Sequence, residues 1–440
     1  MSSVAFTTLG CKVNQYDTDG MRGLFFARGY EECLFEEKAD VYVVNTCSVT
    51  QVGEKKSRQF IRRAKKNNPH GIVVVTGCYA QLNPELLTAM SDVDILIGTN
   101  EKHQIVDLVE KYVHQQGERQ IVRAVHDVMT YNRFEELPLY PSAVTHTRAH
   151  VKIQEGCHNF CTYCIIPYTR GNLKSRLIPD IVAEVNRLTA YGFKEIVLTG
   201  IHLGAYGLDL PDQPTLSDVL EALLTATTAQ RIRLGSIESV EVSEKLIYLM
   251  NHEKRLCPHL HLPLQSGADR ILTLMDRHYD KQKFIDLIAK LREQIPKLTV
   301  TTDIILGFPG ETDALFAETM ATLRLLQFAH IHAFPYSKRT GTPAADFPGQ
   351  IDEKVKKERV GMVNQLSKAG EEQLHHQLVG QTVQVLLEKI DKGLGEGFSE
   401  QYVRVRVRHC ENRQVGDIVS VFIEKNEGSN LIGQPIKEEK

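Results

Sequence analysis

The sequence predicts an α/β protein in three parts: an N-terminal doubly wound parallel sheet, a central partial (βα)6 barrel and a small C-terminal β-barrel. Three observations carry this expectation. Short Val/Ile-rich runs alternate with amphipathic stretches through the first part at roughly 30-residue spacing, as buried strands do in βαβ units. The alternation resumes with longer helical stretches from Val151. From Gln381 it gives way to short alternating strands separated by glycine-rich turns.

The first four strands are expected at Val4–Gly10, Asp40–Thr46, Gly71–Gly77 and Val93–Thr99, with helices over Gln15–Arg28 and Gly53–Asn67 between them. Val113–His150 is polar and aperiodic, and reads as a linker with one hairpin. Six strands follow at Val151–Gln154, Glu195–Gly200, Arg231–Ser236, His259–Leu264, Thr299–Leu306 and His330–Tyr336. Six β/α repeats without a seventh and eighth suggest an open barrel. Its last helix is expected at Lys354–Leu378, and the run Lys392–Gly397 is expected as a turn of the tail. The domain limits are set at 1–117, 118–145 (linker), 146–375 and 376–440.

Composition narrows the function. Of the 440 residues, 42% are hydrophobic and 24% charged, which excludes disorder as a global description. A net charge of −3 excludes a uniformly basic binder but leaves room for local basic patches. The start shows no secretory signal, and no run approaches the ~18 apolar residues of a spanning helix. A cytoplasmic location and no membrane partner are expected. Nine cysteines cannot all pair, which points to thiols used for metal or catalysis.

Six of those cysteines form two triplets. Cys11, Cys47 and Cys78 each follow the C-terminal end of a successive expected strand. In a parallel sheet those ends share one edge, where open α/β folds place their ligand sites. Three thiolates suit an iron–sulfur cluster with one open iron or a zinc site with an exchangeable position; three buried packing residues are the bland alternative. The second triplet is Cys157, Cys161 and Cys164, a CxxxCxxC directly after the first barrel strand. Zinc is its main rival, but zinc knots bring two close pairs and no second pair follows. Cys33, Cys257 and Cys410 lack clustered partners and read as core packing.

CxxxCxxC with an aromatic before its last cysteine, on the first loop of a partial barrel, resembles the radical S-adenosylmethionine (SAM) enzymes. Thr8–Asn14 (TLGCKVN), Asn45–Thr50 (NTCSVT), Thr76–Gln81 (TGCYAQ) and Ile165–Gly171 (IIPYTRG) extend the resemblance to the methylthiotransferases, and the tail is similar to that family's TRAM domain. Leu198–Gly207, Thr302–Thr312 and Pro335–Ala345 are most similar to the branch acting on threonylcarbamoyladenosine in tRNA. His158 departs from the Asn or Asp that relatives often carry there. The resemblance implies two 4Fe–4S clusters, one on Cys157, Cys161 and Cys164 that cleaves SAM to a 5′-deoxyadenosyl radical, one on Cys11, Cys47 and Cys78 that carries the sulfur. One SAM methylates that sulfur; a second yields the radical that opens carbon 2 of the adenine. An unactivated aromatic C–H has no usable acid–base route, hence the radical cofactor. The implied partners are the tRNA anticodon stem-loop, an electron donor and a sulfur donor.

The remaining site residues follow from strand ends and from the resemblance. Tyr163 packs on the adenine of SAM by resemblance, or seals the cluster from water. Gly200 lets backbone approach the methionine moiety, and His202 contacts its carboxylate or is a satisfied rim residue. Ser236 and Glu238 end the third strand, where a carboxylate can accept from ribose hydroxyls; Gln265 ends the fourth, and Gly307–Gly310 offers backbone to an adenine edge. Arg170 reads as a surface loop charge or an orienting group. Lys55, Lys56, Arg58, Arg62, Arg63, Lys65 and Lys66 crowd one helix, as an RNA contact or a solvated face. Arg404, Arg406 and Arg408 share one strand face opposite Val403, Val405 and Val407, as expected of an RNA-facing strand or a charge-guarded edge.

Overall fold

The computed structural model describes residues 2–115, 120–428 and 430–436. The expected limit at residue 117 and the last four residues lie outside the described residues.

The first sheet contains β1 (Ser3–Thr8), β2 (Glu31–Glu32), β3 (Val41–Thr46), β4 (Ile72–Gly77), β5 (Ile95–Ile97) and β6 (Val122–Ala124), all parallel, in the order β2-β1-β3-β4-β5-β6. Successive side chains of a strand point to opposite faces. Val4, Val41, Val43 and Val74 therefore meet Met21 and Phe25 of α1 (Lys12–Ala27) on one face. Ala5, Tyr42, Val44 and Val75 meet Ile61 and Ala64 of α2 (Gln51–Asn67) on the other. Burial on both faces is why β3 and β4 read as unbroken apolar runs. β6 falls where a linker hairpin was expected; three residues are too few to display a period.

The central part contains β7 (Ala149–Glu155), β9 (Glu195–Gly200), β10 (Arg231–Leu234), β11 (His259–His261), β12 (Thr299–Leu306) and β13 (His330–Pro335) as parallel strands, with β8 (Lys174–Ser175) antiparallel beside β7. Parallel bridges Ile232↔Leu256 and Ser236↔His261 join its two sheets into one open half-barrel. Val151, Ile153, Ile196, Leu198, Ile232 and Val300 pack outward against the helical layer. The alternate positions, among them His150, Lys152, Glu195, Arg233, His259 and Thr301, turn inward and make the lumen polar. Helix α1 packs against β7 and β9, which brings the first domain onto the barrel.

The tail helix spans Glu353–Leu378. Beyond it β14 (Thr382–Asp391), β15 (Leu394–Ser399), β16 (Arg404–Val407), β17 (Ile418–Glu427) and β18 (Asn430–Pro435) close into a barrel ordered β14-β15-β16-β18-β17. Of the expected turn Lys392–Gly397, residues from Leu394 onward are strand. The reason is crowding: a Cβ on Gly397 would lie 1.8 Å from the Leu386 carbonyl oxygen, so glycine here serves strand approach. Val403, Val405 and Val407 fill the barrel interior. β16 pairs on both sides, so it is no edge strand.

Candidate metal centres

The first triplet lies at the C-terminal edge of the first sheet, where strand order reverses beside β1. Cys11 precedes α1, Cys47 follows β3, and Cys78 opens α3 (Cys78–Leu82) directly after β4. Glycine makes the two outer approaches possible. Gly10 has φ +105° and its absent Cβ would sit 3.1 Å from the Cys47 Sγ; Gly77 has φ +93°, and a Cβ there would lie 2.5 Å from the Thr46 carbonyl oxygen. Asn14 Nδ2 donates to the carbonyls of Leu9 (2.6 Å) and Thr46 (3.0 Å), tying two cysteine loops together.

Arg170, read from the sequence as a surface loop charge or an orienting group, is completely buried, which rules out the first. It ends the short helix Ile166–Arg170, downstream of the second triplet, and its Nε donates to the Cys78 Sγ at 3.1 Å. Its Nη1 bonds Glu155 at 3.0 Å and Asp17 at 3.3 Å, and its Nη2 donates to Asn14. Burial raises the cost of charge on Asp17, but Lys102, Lys152 and Arg170 hold its carboxyl well below the usual range. Glu155 is likewise drawn down to about 2 by Arg170 and Lys152 against the penalty of burial. The guanidinium is thus fully answered in a dry site.

The second triplet occupies the loop after β7. The Cys157 N–H donates to the Gly171 carbonyl (3.1 Å), and the Cys164 N–H to that of Cys161 (2.8 Å). Thr162 anchors the loop to the far side of the barrel, its N–H on the Met275 carbonyl (3.1 Å) and its hydroxyl on that of Leu274 (2.7 Å). Arg277, which carried no signal of spacing or periodicity in the sequence, donates from Nη1 to the Cys161 Sγ at 3.2 Å and pairs with Glu238 through Nη2. Gln154, also unmarked in the sequence, accepts from the His202 N–H at 2.7 Å and donates to the Glu155 and Gly156 carbonyls.

The donor sets fit clusters better than single ions. Zinc holds thiolates tetrahedrally at ~2.3 Å, hence ~3.8 Å between sulfurs. Among the described residues, the one trio of potential ligands drawn within 4.8 Å is His261, Asp303 and His332, so neither cysteine triplet is gathered to that spacing. Burial pushes the Cys47 thiol up to about 11 and the Cys164 thiol up to about 12. A metal that deprotonates its thiols outright would relieve that cost, and the Arg170 and Arg277 N–H groups are placed to hydrogen-bond a thiolate sulfur at each triplet.

Of the expected barrel-rim residues, His202 reaches the second triplet directly at Cys157, and Glu238 reaches it through Arg277. Gly200, Ser236, Glu238 and Gln265 all open at least partly to solvent at the C-terminal ends of β9, β10, β11 and their loops. A Cβ on Gly200 would lie 3.0 Å from Gln154 Oε1. Gln265 holds φ +64° and is bridged to Ile304. Tyr163 packs against the apolar group formed by Met275, Phe308 and Tyr336. His202 lies between Cys157 Sγ (3.7 Å from Nδ1) and Glu241 Oε1 (2.5 Å from Nε2). Burial opposes its charge, yet those two hydrogen bonds carry it up to about 10.

Residues 3–98 match the uncharacterized protein family UPF0004, and residues 151–323 match the radical SAM superfamily. The chain is 42% identical to the threonylcarbamoyladenosine tRNA methylthiotransferase MtaB of Bacillus subtilis, covering 97% of this chain and 94% of that one. The chain belongs to the radical SAM methylthiotransferase family. Identity is 37% to the protein of the same name from Aquifex aeolicus (96% and 100% covered). It is 36% to a tRNA-2-methylthio-N(6)-dimethylallyladenosine synthase of Pelotomaculum thermopropionicum (90% and 89%). Among solved structures, the radical SAM methyltransferase TsrM of Kitasatospora setae shares the fold, with a TM-score of 0.57 at 15% identity over 78% of this chain and 77% of that one.

As a radical SAM methylthiotransferase the protein is a transferase that draws on SAM and a 4Fe–4S cluster. Two basic surfaces accompany the core. On α2, Arg63 pairs with Glu36 and Lys65 with Asp94, whereas Lys55, Lys56, Arg62 and Lys66 have no ion pair among the described residues. On the tail barrel, Arg404 and Arg406 share Glu396 (2.8 and 2.9 Å), and Arg408 lies 3.4 Å from Glu424. The three remain about half exposed. No helix among the described residues is long and apolar enough to cross a membrane.

Proposed function

We propose that the protein methylthiolates carbon 2 of threonylcarbamoyladenosine next to the anticodon in tRNA, with two 4Fe–4S clusters. The observation that carries this reading is the joining of the two triplets: Arg170 runs from the loop of Cys157, Cys161 and Cys164 to the sulfur of Cys78. Two three-cysteine sites linked through one arginine suit a reaction in which one site generates a radical and the other delivers sulfur. The relatives named for this substrate span nearly the whole chain.

In this reading Cys157, Cys161 and Cys164 hold the SAM-cleaving cluster, and Cys11, Cys47 and Cys78 hold the auxiliary one. Bound there, the clusters supply the electron that cleaves SAM and the sulfur that is transferred. The chain's own residues do the rest. Gly200, Ser236, Glu238 and Gln265 receive SAM, with Tyr163 covering its adenine. Arg277 orients Glu238 toward the ribose and shields the Cys161 sulfur from water. His202 braces the Cys157 sulfur. The unpaired cations of α2 and the Arg404–Arg406–Arg408 face grip the phosphates of the anticodon stem-loop. A reductant and a sulfur source complete the partners. Residues 1–117 carry the auxiliary site, 146–375 the SAM site and 376–440 the RNA-binding barrel.

Mass spectrometry of tRNA nucleosides from cells lacking the protein tests the reading. The 2-methylthio form of threonylcarbamoyladenosine should vanish while its unmethylthiolated precursor accumulates. Loss of the 2-methylthio isopentenyladenosine signal instead would overturn the substrate assignment.

A further inference from the structure

All three parts of the chain meet at one aromatic ring. Tyr402, in the turn between β15 and β16, holds φ +65° and stacks on Phe398 with centroids 4.9 Å apart. Its ring also lies 5.0 Å from that of His259 at the start of β11, which places it at the N-terminal mouth of the half-barrel. Three cations from two domains surround it: Arg233 at 4.9 Å, Arg148 at 5.2 Å and Lys12 at 5.9 Å from its centroid.

Their charges are unequally answered. Arg233 Nε bonds Glu195 at 2.7 Å, and its Nη atoms donate to the carbonyls of Ser399 and Glu400. Arg148 pairs with Glu388 at 2.7 Å. Lys12 has no ion pair and no side-chain hydrogen bond among the described residues, yet it sits beside two other cations and directly after Cys11. Both Cys11 and Lys12 are exposed although the barrel and the tail surround them, so both open onto the lumen. Glu195 and Glu388 answer the two arginines, which leaves Lys12 the one cation of the three with no acid of its own, and a cation left so beside two others is costly unless an anion completes the group.

Resting on the proposed substrate, we propose that Lys12, flanked by Arg148 and Arg233 over Tyr402, is the subsite for the carboxylate of the threonylcarbamoyl group. That carboxylate is what separates this nucleoside from an adenosine with an apolar N6 substituent. An ammonium next to the cysteine of the auxiliary site anchors the substituent close to where carbon 2 must meet its sulfur. The arginines hold the floor of the subsite in place and are themselves held by Glu195, Glu388 and the tail carbonyls. Selectivity among modified adenosines therefore comes from the junction of the three domains, at the opposite end of the lumen from the SAM site.

The test measures binding of anticodon stem-loops to the iron-loaded protein. Three RNAs are compared: one with threonylcarbamoyladenosine, one with its carboxylate converted to the primary amide, and one with isopentenyladenosine. Wild type should bind the acid about tenfold tighter than the amide, the worth of one charge-assisted hydrogen bond. Lys12→Met, at matched iron content, should bind acid and amide alike, and Lys12→Arg should restore the preference. Equal binding of acid and amide by wild type overturns the subsite without recourse to any variant. So does an undiminished preference in Lys12→Met, and in that case the substrate reading still stands. A wild type that prefers the isopentenyl RNA overturns both.

Discussion

The Nε of Arg170 donates to the sulfur of Cys78 at 3.1 Å, across 92 residues of sequence and the boundary between two domains. A single buried guanidinium thus touches one cysteine site while its own helix closes the loop that carries the other. Removing it leaves Asp17 and Glu155 buried with one fewer counter-charge. Arg170→Met should cost about 3–5 kcal/mol of stability, the usual result of breaking a buried ion network from one side. Thermal unfolding checks this, and an unchanged midpoint would show the network to be idle.

The two triplets should be separable by iron content and by product. Reconstituted wild type should hold about eight irons, and Cys47→Ala about half of that. Cys161→Ala should abolish release of 5′-deoxyadenosine, whereas Cys78→Ala should retain SAM cleavage and stop methylthiolation. Identical defects in the two variants would contradict the division of labour.

Arg277 bonds both Cys161 and Glu238, so it couples cluster loop to SAM pocket. Arg277→Met should leave Glu238 partly buried and unpaired, and weaken SAM binding about tenfold, the worth of one charge-assisted hydrogen bond. Calorimetric titration of SAM measures it. Glu238→Gln should weaken binding less, because the amide still accepts from a ribose hydroxyl.

Lys174 is buried, with its ammonium on Asn100 Oδ1 (2.9 Å) and the Arg170 carbonyl (3.0 Å). Burial lowers it from 10.5 to about 8. Below pH 8 both folded and unfolded states carry the proton, and the full penalty is felt. Between about 8 and 10.5 the unfolded state binds more protons, so this group's contribution to stability rises with pH. Denaturant unfolding of wild type and Lys174→Met should therefore diverge in favour of wild type as pH is raised from 7.5 to 9.5, by on the order of 2 kcal/mol. A constant difference would contradict it.

Replacing Arg404, Arg406 and Arg408 together with Gln should raise the Kd for the stem-loop and flatten its dependence on salt. The log–log slope should fall by about 0.7–0.9 for every phosphate that is no longer neutralised. Titration at several salt concentrations reads the slope, and no change would assign this face to solubility. Glu396 already answers two of these arginines, so Glu396→Gln should tighten RNA binding.

Period and spacing alone determined much of this protein. A run such as Ile72–Val75 of β4, buried on both faces, announces a parallel sheet because every one of its positions must be apolar. The strand-end cysteines announce convergence because parallel strands end on one edge, and Val403, Val405 and Val407 announce the tail interior by alternation. What alternation could not reveal was the short strand β6, or the strand formed by Leu394–Ser399 with glycines where close approach demands them.

Tertiary structure alone decided which cation meets which sulfur. The Arg277–Cys161 pair spans 116 residues and Arg170–Cys78 spans 92, and neither arginine's sequence neighbourhood differs from that of a loop charge. It also decided that Lys12 would meet Arg148, Arg233 and Tyr402. Local patterns record what each segment buries against its own sheet or helix layer. Long-range polar contacts depend on how the sheet, the half-barrel and the tail barrel pack together, and a side chain carries no local mark of the partner that packing brings to it.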